Sequence, residues 1–311
     1  MRKILVTAIS GNVSNSILKI LEKTEDEIFG CDVYNYPVGM DRVKLYWTSE
    51  WAADSDYIDN LLERCRKNQI THIIPVNESE ISVIDKNRER FINAGIKLLI
   101  NSSEIICTFM DKALTAKRLD QIPSICVPRT FFYDDFVEDG KSYIAKYRQS
   151  CGSKFLRRIT YKSELENVKD KENLIIQEYI PDEENEYTVG VYSNGIKVET
   201  IIFKRKLQNG YTSFVELVLD DSIKKDAITI AKEIHLKGAI NLQLRKYMGE
   251  NYIFEINPRI SGTVGFRHQL NFNDLLWWLD LIDGKYDYNY DKKYTKAIGI
   301  RELNEKFLEL E

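Results

Sequence analysis

The feature that most constrains this chain is the regular alternation of β-rich and helical segments across its first hundred residues. Lys3–Ile9 is a short apolar β-rich run, and Asn15–Lys23 then carries Ile17, Leu18, Ile20 and Leu21 at helical spacing. Ile28–Tyr34 reads as a strand, Tyr57–Lys67 as a helix and Thr71–Val76 (THIIPV) as a buried strand. Ser79–Ala94 follows as a helix and Lys97–Ile100 as a further strand. Alternating elements with short connections predict a parallel sheet covered by helices, an α/β arrangement.

The pattern changes after about Asn101. A helix is expected near Asp111–Asp120, ending before Pro123, then a short strand at Tyr143–Lys146 and helical spacing at Ser163–Val168. Leu174–Ile180 (LIIQEYI) reads as a strand, as do Tyr187–Tyr192 and Lys197–Phe203, the last two joined by the hairpin signal Asn194-Gly195. A helix at about Ile223–His235, strands at Ala239–Lys246 and Tyr252–Asn257, and a helix at Asn273–Ile282 complete an α+β half with antiparallel hairpins.

Composition narrows the setting. The chain of 311 residues carries a net charge of −4 and no stretch near the ~20 apolar residues of a membrane span. Its pI near 5.7 argues against a nucleic-acid partner, which usually meets a basic face. The N-terminus enters a strand-like run at once and shows no signal-peptide pattern. Five scattered cysteines, none spaced as CxxC, argue against a disulfide framework or zinc site and for a reducing cytoplasm.

The chemistry concentrates in Asn241-Leu242-Gln243 and Phe254-Glu255-Ile256-Asn257-Pro258-Arg259. Residues two apart on a strand share a face, so Asn241, Gln243 and Arg245 align, as do Glu255 and Asn257 on the neighbouring strand. If both faces enter one cleft, they present oxygen ligands suited to Mg²⁺ beside a cation; a solvated hairpin face is the alternative. Upstream, Lys112 opens a helix after Asp111, and Lys146 precedes the polar segment Arg148–Lys154, which could cradle phosphate. As single residues, these lysines read first as solvated surface charges, and Glu186 reads equally as one more carboxylate in an acidic segment.

Taken in order, these residues resemble the ATP-grasp superfamily, and within it the synthetase domains of the carbamoyl-phosphate synthase large subunit. The resemblance rests on Met110-Asp111-Lys112, Ile144-Ala145-Lys146, Gln177-Glu178-Tyr179-Ile180, Glu186-Tyr187, Asn241-Leu242-Gln243 and Glu255-Ile256-Asn257-Pro258-Arg259. It implies an N-terminal parallel, Rossmann-like pre-ATP-grasp domain (1–108) followed by a two-lobed α+β ATP-grasp fold, with a small lobe at 109–180 and a large lobe at 181–311. It also implies roles. Lys112 and Lys146 would hold ATP phosphates, with the loop containing Ser153 closing over them. Glu178 and Ile180 would form the adenine hinge, and Glu186 would bind ribose. Gln243, Glu255 and Asn257 would hold two Mg²⁺ (or Mn²⁺) ions, and Arg259, Lys146 and Arg205 would act on the transferred phosphoryl group. Ser261, Gly262 and Arg267 would border the acceptor substrate.

The implied activity is carboxylate–amine ligation through an acyl-phosphate, acting on small-molecule carboxylates and amines in a possible homodimer. Carboxyphosphate or carbamate chemistry, or a non-catalytic ATP-binding module, are the alternatives. Three features depart from the family pattern: the phosphate loop is short and poor in glycine, Gln243 stands where many relatives carry an acid, and Ala8–Ser14 is not a dinucleotide fingerprint. His72, His235 and His268 are too scattered for a catalytic triad.

Overall fold

The computed structural model describes residues 1–149, 155–181, 183–208 and 210–302. The first of three sheets is parallel, with strands β1 (Lys3–Val6), β2 (Glu27–Asp32), β3 (Leu45–Thr48), β4 (His72–Ile74) and β5 (Lys97–Leu98) in the spatial order β3-β2-β1-β4-β5. Helices α1 (Asn12–Leu21), α2 (Tyr57–Asn68), α3 (Glu78–Lys86) and α4 (Arg88–Asn93) cover it. The single helix expected over Ser79–Ala94 is interrupted at Asn87, whose backbone leaves the helical region and whose side chain donates to the Val83 carbonyl. Strand β3 was not expected, because its four residues lie in a segment rich in polar and aromatic residues. The strand order reverses between β1 and β4, and the crevice beyond such a reversal is where α/β sheets place ligands.

Helices α5 (Ser103–Phe109) and α6 (Lys112–Asp120) lead into the second sheet. This antiparallel sheet contains β6 (Thr130–Phe132), β7 (Tyr143–Tyr147), β8 (Leu156–Ile159) and β9 (Leu174–Glu178) in the order β6-β9-β7-β8. The helical spacing at Ser163–Val168 is realised as one 3₁₀ turn, Lys162–Leu165. The third sheet is also antiparallel, with β10 (Glu186–Asn194), β11 (Val198–Gln208), β12 (Tyr211–Val218), β13 (Lys237–Tyr247), β14 (Glu250–Asn257) and β15 (Ile298–Ile300) in the order β14-β13-β10-β11-β12-β15. Helix α7 (Asp221–Glu233) packs against it, with α8 (Val264–Gln269) and α9 (Asp274–Ile282) following β14. The mixed α/β then α+β architecture expected from the sequence is therefore present.

The first and third sheets share a core. One apolar cluster joins Ile4, Val6, Ile17 and Leu21 to Phe203, Val215, Trp277 and Trp278. The tryptophan pair of α9 thus packs internally. Gly238, at φ 136°, makes that packing possible, since a Cβ there would lie 2.6 Å from the Trp278 ring. A polar latch reinforces the junction: Asp283 accepts from Arg2 Nε at 2.7 Å, from Lys97 Nζ, and meets His72 Nε2 at 3.0 Å. His72 is buried, in keeping with a packing role at a strand end. Among the described residues, Cys31, Cys65, Cys107 and Cys126 are free, and no helix is long and apolar enough to cross a membrane.

Candidate functional site

The strand pair β13/β14 is the centre of the site. Gln243 lies directly opposite Glu255, and Asn241 opposite Asn257. Between Gln243 and Leu244 the register shifts, leaving Phe254 as an extra residue on β14. A bulge re-aims side chains locally, and here the consecutive residues Phe254 and Glu255 both line one cavity of about 550 Å³. The alternating partners Ile253 and Ile256 remain in the core. Asn257 Nδ2 donates to Glu255 Oε1 at 2.9 Å.

The same cavity is lined by Lys112 and Lys146 on one side and by Arg259 on another. Asp111 caps α6 by accepting from the backbone N–H groups of Ala113 and Leu114, which fixes Lys112 at the first helical position. Asp111 also pairs with Arg148 at 2.7 Å, tying the helix start to the end of β7. Lys146 is buried on β7 and donates to Gln177 Oε1 at 2.8 Å. Burial disfavours its ammonium charge, and although Glu255 opposes this, its pKa falls from the ordinary lysine value to about 8. Ser153 and the rest of the segment 150–154, where the sequence places a phosphate-covering loop, lie outside the described residues.

Glu178 and Ile180 follow along the cavity wall with Tyr179. The Glu178 carboxylate meets Arg129 Nε at 3.2 Å, and the Ile180 carbonyl accepts from Arg245 Nη1 at 2.9 Å. Glu186 is held between two arginines, with Arg205 Nη2 at 3.0 Å and Arg245 Nη2 at 3.1 Å. Arg205 also donates to Gln243 Oε1 at 2.8 Å. Arg259 pairs with Glu78 at 2.8 Å, joining the segment after β14 to the first turn of α3. Ser261 and Gly262 line the cavity beyond Arg259.

Arg267 is elsewhere. It is 1% exposed, forms a 2.7 Å ion pair with the equally buried Asp274, and donates to the hydroxyls of Ser261 and Thr263. It is absent from the cavity wall, so the expected substrate clamp at this position is corrected to a buried strut. A buried guanidinium requires a carboxylate partner, and the short α8 turns it toward Asp274 rather than the cleft.

Several lining residues were not singled out from the sequence. Asn12 and Val13 open α1 and Glu78 opens α3, beyond the carboxyl ends of β1 and β4 where the strand order reverses. That position is a recognisable signal once the sheet order is known. Arg301, just past β15, had no signal.

The fold and the cavity match the ATP-grasp arrangement expected from the sequence, and two family models match parts of the chain. Residues 170–306 match the family described as "ATP-grasp in the biosynthetic pathway with Ter operon", and residues 4–99 match the "PylC-like, N-terminal domain". The carbamoyl phosphate synthase large chain of Clostridium beijerinckii is 30% identical over 120 residues, which cover 35% of this chain and only 11% of that one. Among solved structures, the biotin carboxylase of Campylobacter jejuni aligns with a TM-score of 0.74 at 14% identity, covering 97% of this chain and 76% of that one. The N5-carboxyaminoimidazole synthetase of Staphylococcus aureus gives 0.72 at 12%, covering 90% and 77%. An L-amino acid ligase of Bacillus licheniformis gives 0.72 at 14%, covering 90% and 74%.

Proposed function

We propose that the protein is an ATP- and magnesium-dependent ligase that activates a carboxylate as an acyl-phosphate and joins it to an amine. The observation that carries this reading is the single cavity in which Glu255, Asn257 and Gln243 face Lys112, Lys146 and Arg259. A carboxylate resists amine attack until one of its oxygens becomes a good leaving group. In the first step a carboxylate oxygen bonds to the γ-phosphorus of ATP as the bond to the ADP oxygen breaks. In the second, the amine nitrogen bonds to the acyl carbon, phosphate departs with the electron pair, and the amine loses a proton.

The donor set fits a hard cation. One carboxylate and two amide side chains on paired strands supply oxygen, and Mg²⁺ usually takes one or two carboxylates and completes its shell with phosphates and water. Glu255, Asn257 and Gln243 would hold the magnesium, which supplies neutralisation of phosphate charge. Gln243 Oε1 is engaged by Arg205, so its service as a ligand requires Arg205 to take another partner; a phosphate oxygen is a chemically suitable one. Lys112 and Lys146 then balance the triphosphate, and Arg259 steadies the group in transfer, a step governed by positioning and charge. Glu178 and Ile180 offer backbone groups to adenine, Glu186 accepts from ribose, and Ser261 and Gly262 border the acceptor.

A second reading has a specific support. One solved neighbour, a 2-oxoglutarate carboxylase domain of Hydrogenobacter thermophilus, is described in complex with MgADP and bicarbonate. Bicarbonate is therefore included among the candidate acids. The test is ADP release by the full chain with MgATP against pools of carboxylates and amines, with and without bicarbonate. Release that requires one carboxylate plus one amine supports ligation; release with bicarbonate alone supports carboxyphosphate chemistry. Glu255→Gln should cut the rate by more than about 100-fold, beyond the loss typical of partners outside the ligand sphere, with an unchanged melting temperature. ATP binding with no ADP from any pool would refute both readings.

A further inference from the structure

The arginines of the third sheet and its following loop differ in one respect. Arg205 and Arg245 share Glu186, Arg259 has Glu78, and Arg267 has Asp274. Arg301, which also lines the cavity, has no carboxylate within ion-pair distance among the described residues. It is held instead by neutral groups: Nε donates to the Thr212 carbonyl at 2.9 Å, Nη2 to the Gly262 carbonyl at 2.6 Å, and Nη1 to Ser16 Oγ at 3.3 Å. The guanidinium stacks over Phe266 at 5.1 Å. Carbonyls and a ring fix its position without neutralising its charge.

A guanidinium has five N–H donors. Taking away these three leaves one on each terminal nitrogen, the pair that grips a carboxylate in bidentate fashion. We infer that Arg301 binds a carboxylate of the amine substrate that the reaction does not consume, so that this substrate is an amino acid rather than ammonia or a simple amine. The inference rests on the ligase reading and names its second substrate class.

Position supports it. Gly262 is three residues beyond Arg259, so its backbone lies within about 11 Å of that of Arg259. An amino acid can span a reacting nitrogen near Arg259 and a carboxylate at Arg301. The carboxylate that is activated is the one that meets the phosphoryl group beside Glu255, and the inference assigns a second carboxylate to Arg301. The seat is rigid. A Cβ on Gly299 would meet Phe266 at 2.6 Å and Val215 at 2.8 Å, so β15 lies pressed against the sheet and carries Arg301 to a fixed place. Burial of Arg301 lowers its pKa, with Tyr211 on the cavity wall opposing, as expected of a cation lacking a counter-ion.

The test uses the full chain with MgADP and calorimetric titration of pooled L-amino acids, each compared with its amide and its decarboxylated amine, and with inorganic phosphate. The wild type should bind an amino acid and reject both neutral-ended analogues. Arg301→Met should weaken that binding by about 10- to 100-fold, the range for a lost charged pair of hydrogen bonds, without changing ATP affinity. Arg301→Lys, which keeps charge and loses the fork, should fall between, and it serves if the methionine variant does not fold. Equal binding of amino acid and decarboxylated amine, or an unchanged ratio in both variants, overturns the inference. Phosphate binding in place of amino acids assigns the site to a phosphorylated substrate and overturns it as well. Because binding is read without turnover, failure here is separable from failure of the ligase reading, which ADP release reports.

Discussion

Lys146 offers the sharpest test of the site's electrostatics. It is buried, and its folded-state pKa of about 8 lies below the ordinary lysine value of 10.5. A cation whose pKa is depressed on folding penalises the folded state wherever the unfolded chain is still protonated. The full penalty, below about pH 8, is on the order of 3 kcal/mol at 1.36 kcal/mol per pKa unit. Between pH 8 and 10.5 the unfolded chain binds the proton and the folded one does not, so stability rises with pH in that window. Lys146→Met removes the titration. It also deprives Gln177 of its donor, but that cost does not vary with pH. Urea denaturation at pH 7 and pH 9.5 should therefore show wild type gaining about 2 kcal/mol relative to the variant, since about 1 kcal/mol of the penalty remains at pH 9.5. Other titrating groups are common to both proteins and cancel. Nucleotide affinity should behave in the opposite sense, weakening in wild type as pH rises through 8 and showing no such step in the variant. Parallel stability profiles would refute the idea that burial holds this lysine near neutrality.

Two further substitutions test the frame around the site. Arg267→Met leaves Asp274 buried and unpaired, and should cost about 3–5 kcal/mol in chemical denaturation with substrate KM values unchanged; a raised KM at unchanged stability would return this arginine to the acceptor site. For Asp283, burial raises the pKa but is outweighed by hydrogen bonds from Lys97, Arg2 and His72, which hold it well below the usual carboxylate range. Its stabilisation is present at neutral pH and lost as pH falls through that depressed value, so Asp283→Asn should flatten the acid limb of the stability profile. An acid limb identical to wild type would show that the latch does not hold the two sheets together.

Much of this architecture was legible because it repeats simple periods. The alternation in the first hundred residues gave the parallel sheet, and the two-residue period of β13 and β14 put Gln243, Glu255 and Asn257 on one wall. What escaped were the short strands β3, β6, β8 and β15, whose three or four residues carry too little pattern to stand out, and β12, which was passed over between two clearer signals. The bulge at Phe254 escaped for a different reason: it is a property of pairing, visible only when both strands are present.

The deeper limit concerns partners. Arg267 and Arg301 are the same residue type, and the family resemblance placed the first beside the acceptor substrate and gave the second no role. The fold reverses the choice through charge balance alone. Arg267 finds Asp274 seven residues away on the next helix and is neutralised inside the protein. Arg301 lies just past the edge strand β15, where among the described residues carbonyls, a hydroxyl and a ring hold it. An arginine's availability is set by which acids share its surroundings after folding, and those neighbours come from β12, α1 and the loop beyond β14, segments between about 40 and 285 residues distant in the chain. A substrate anion is then the partner that the fold itself withholds, which is why the vacancy is a statement about ligand chemistry rather than about stability.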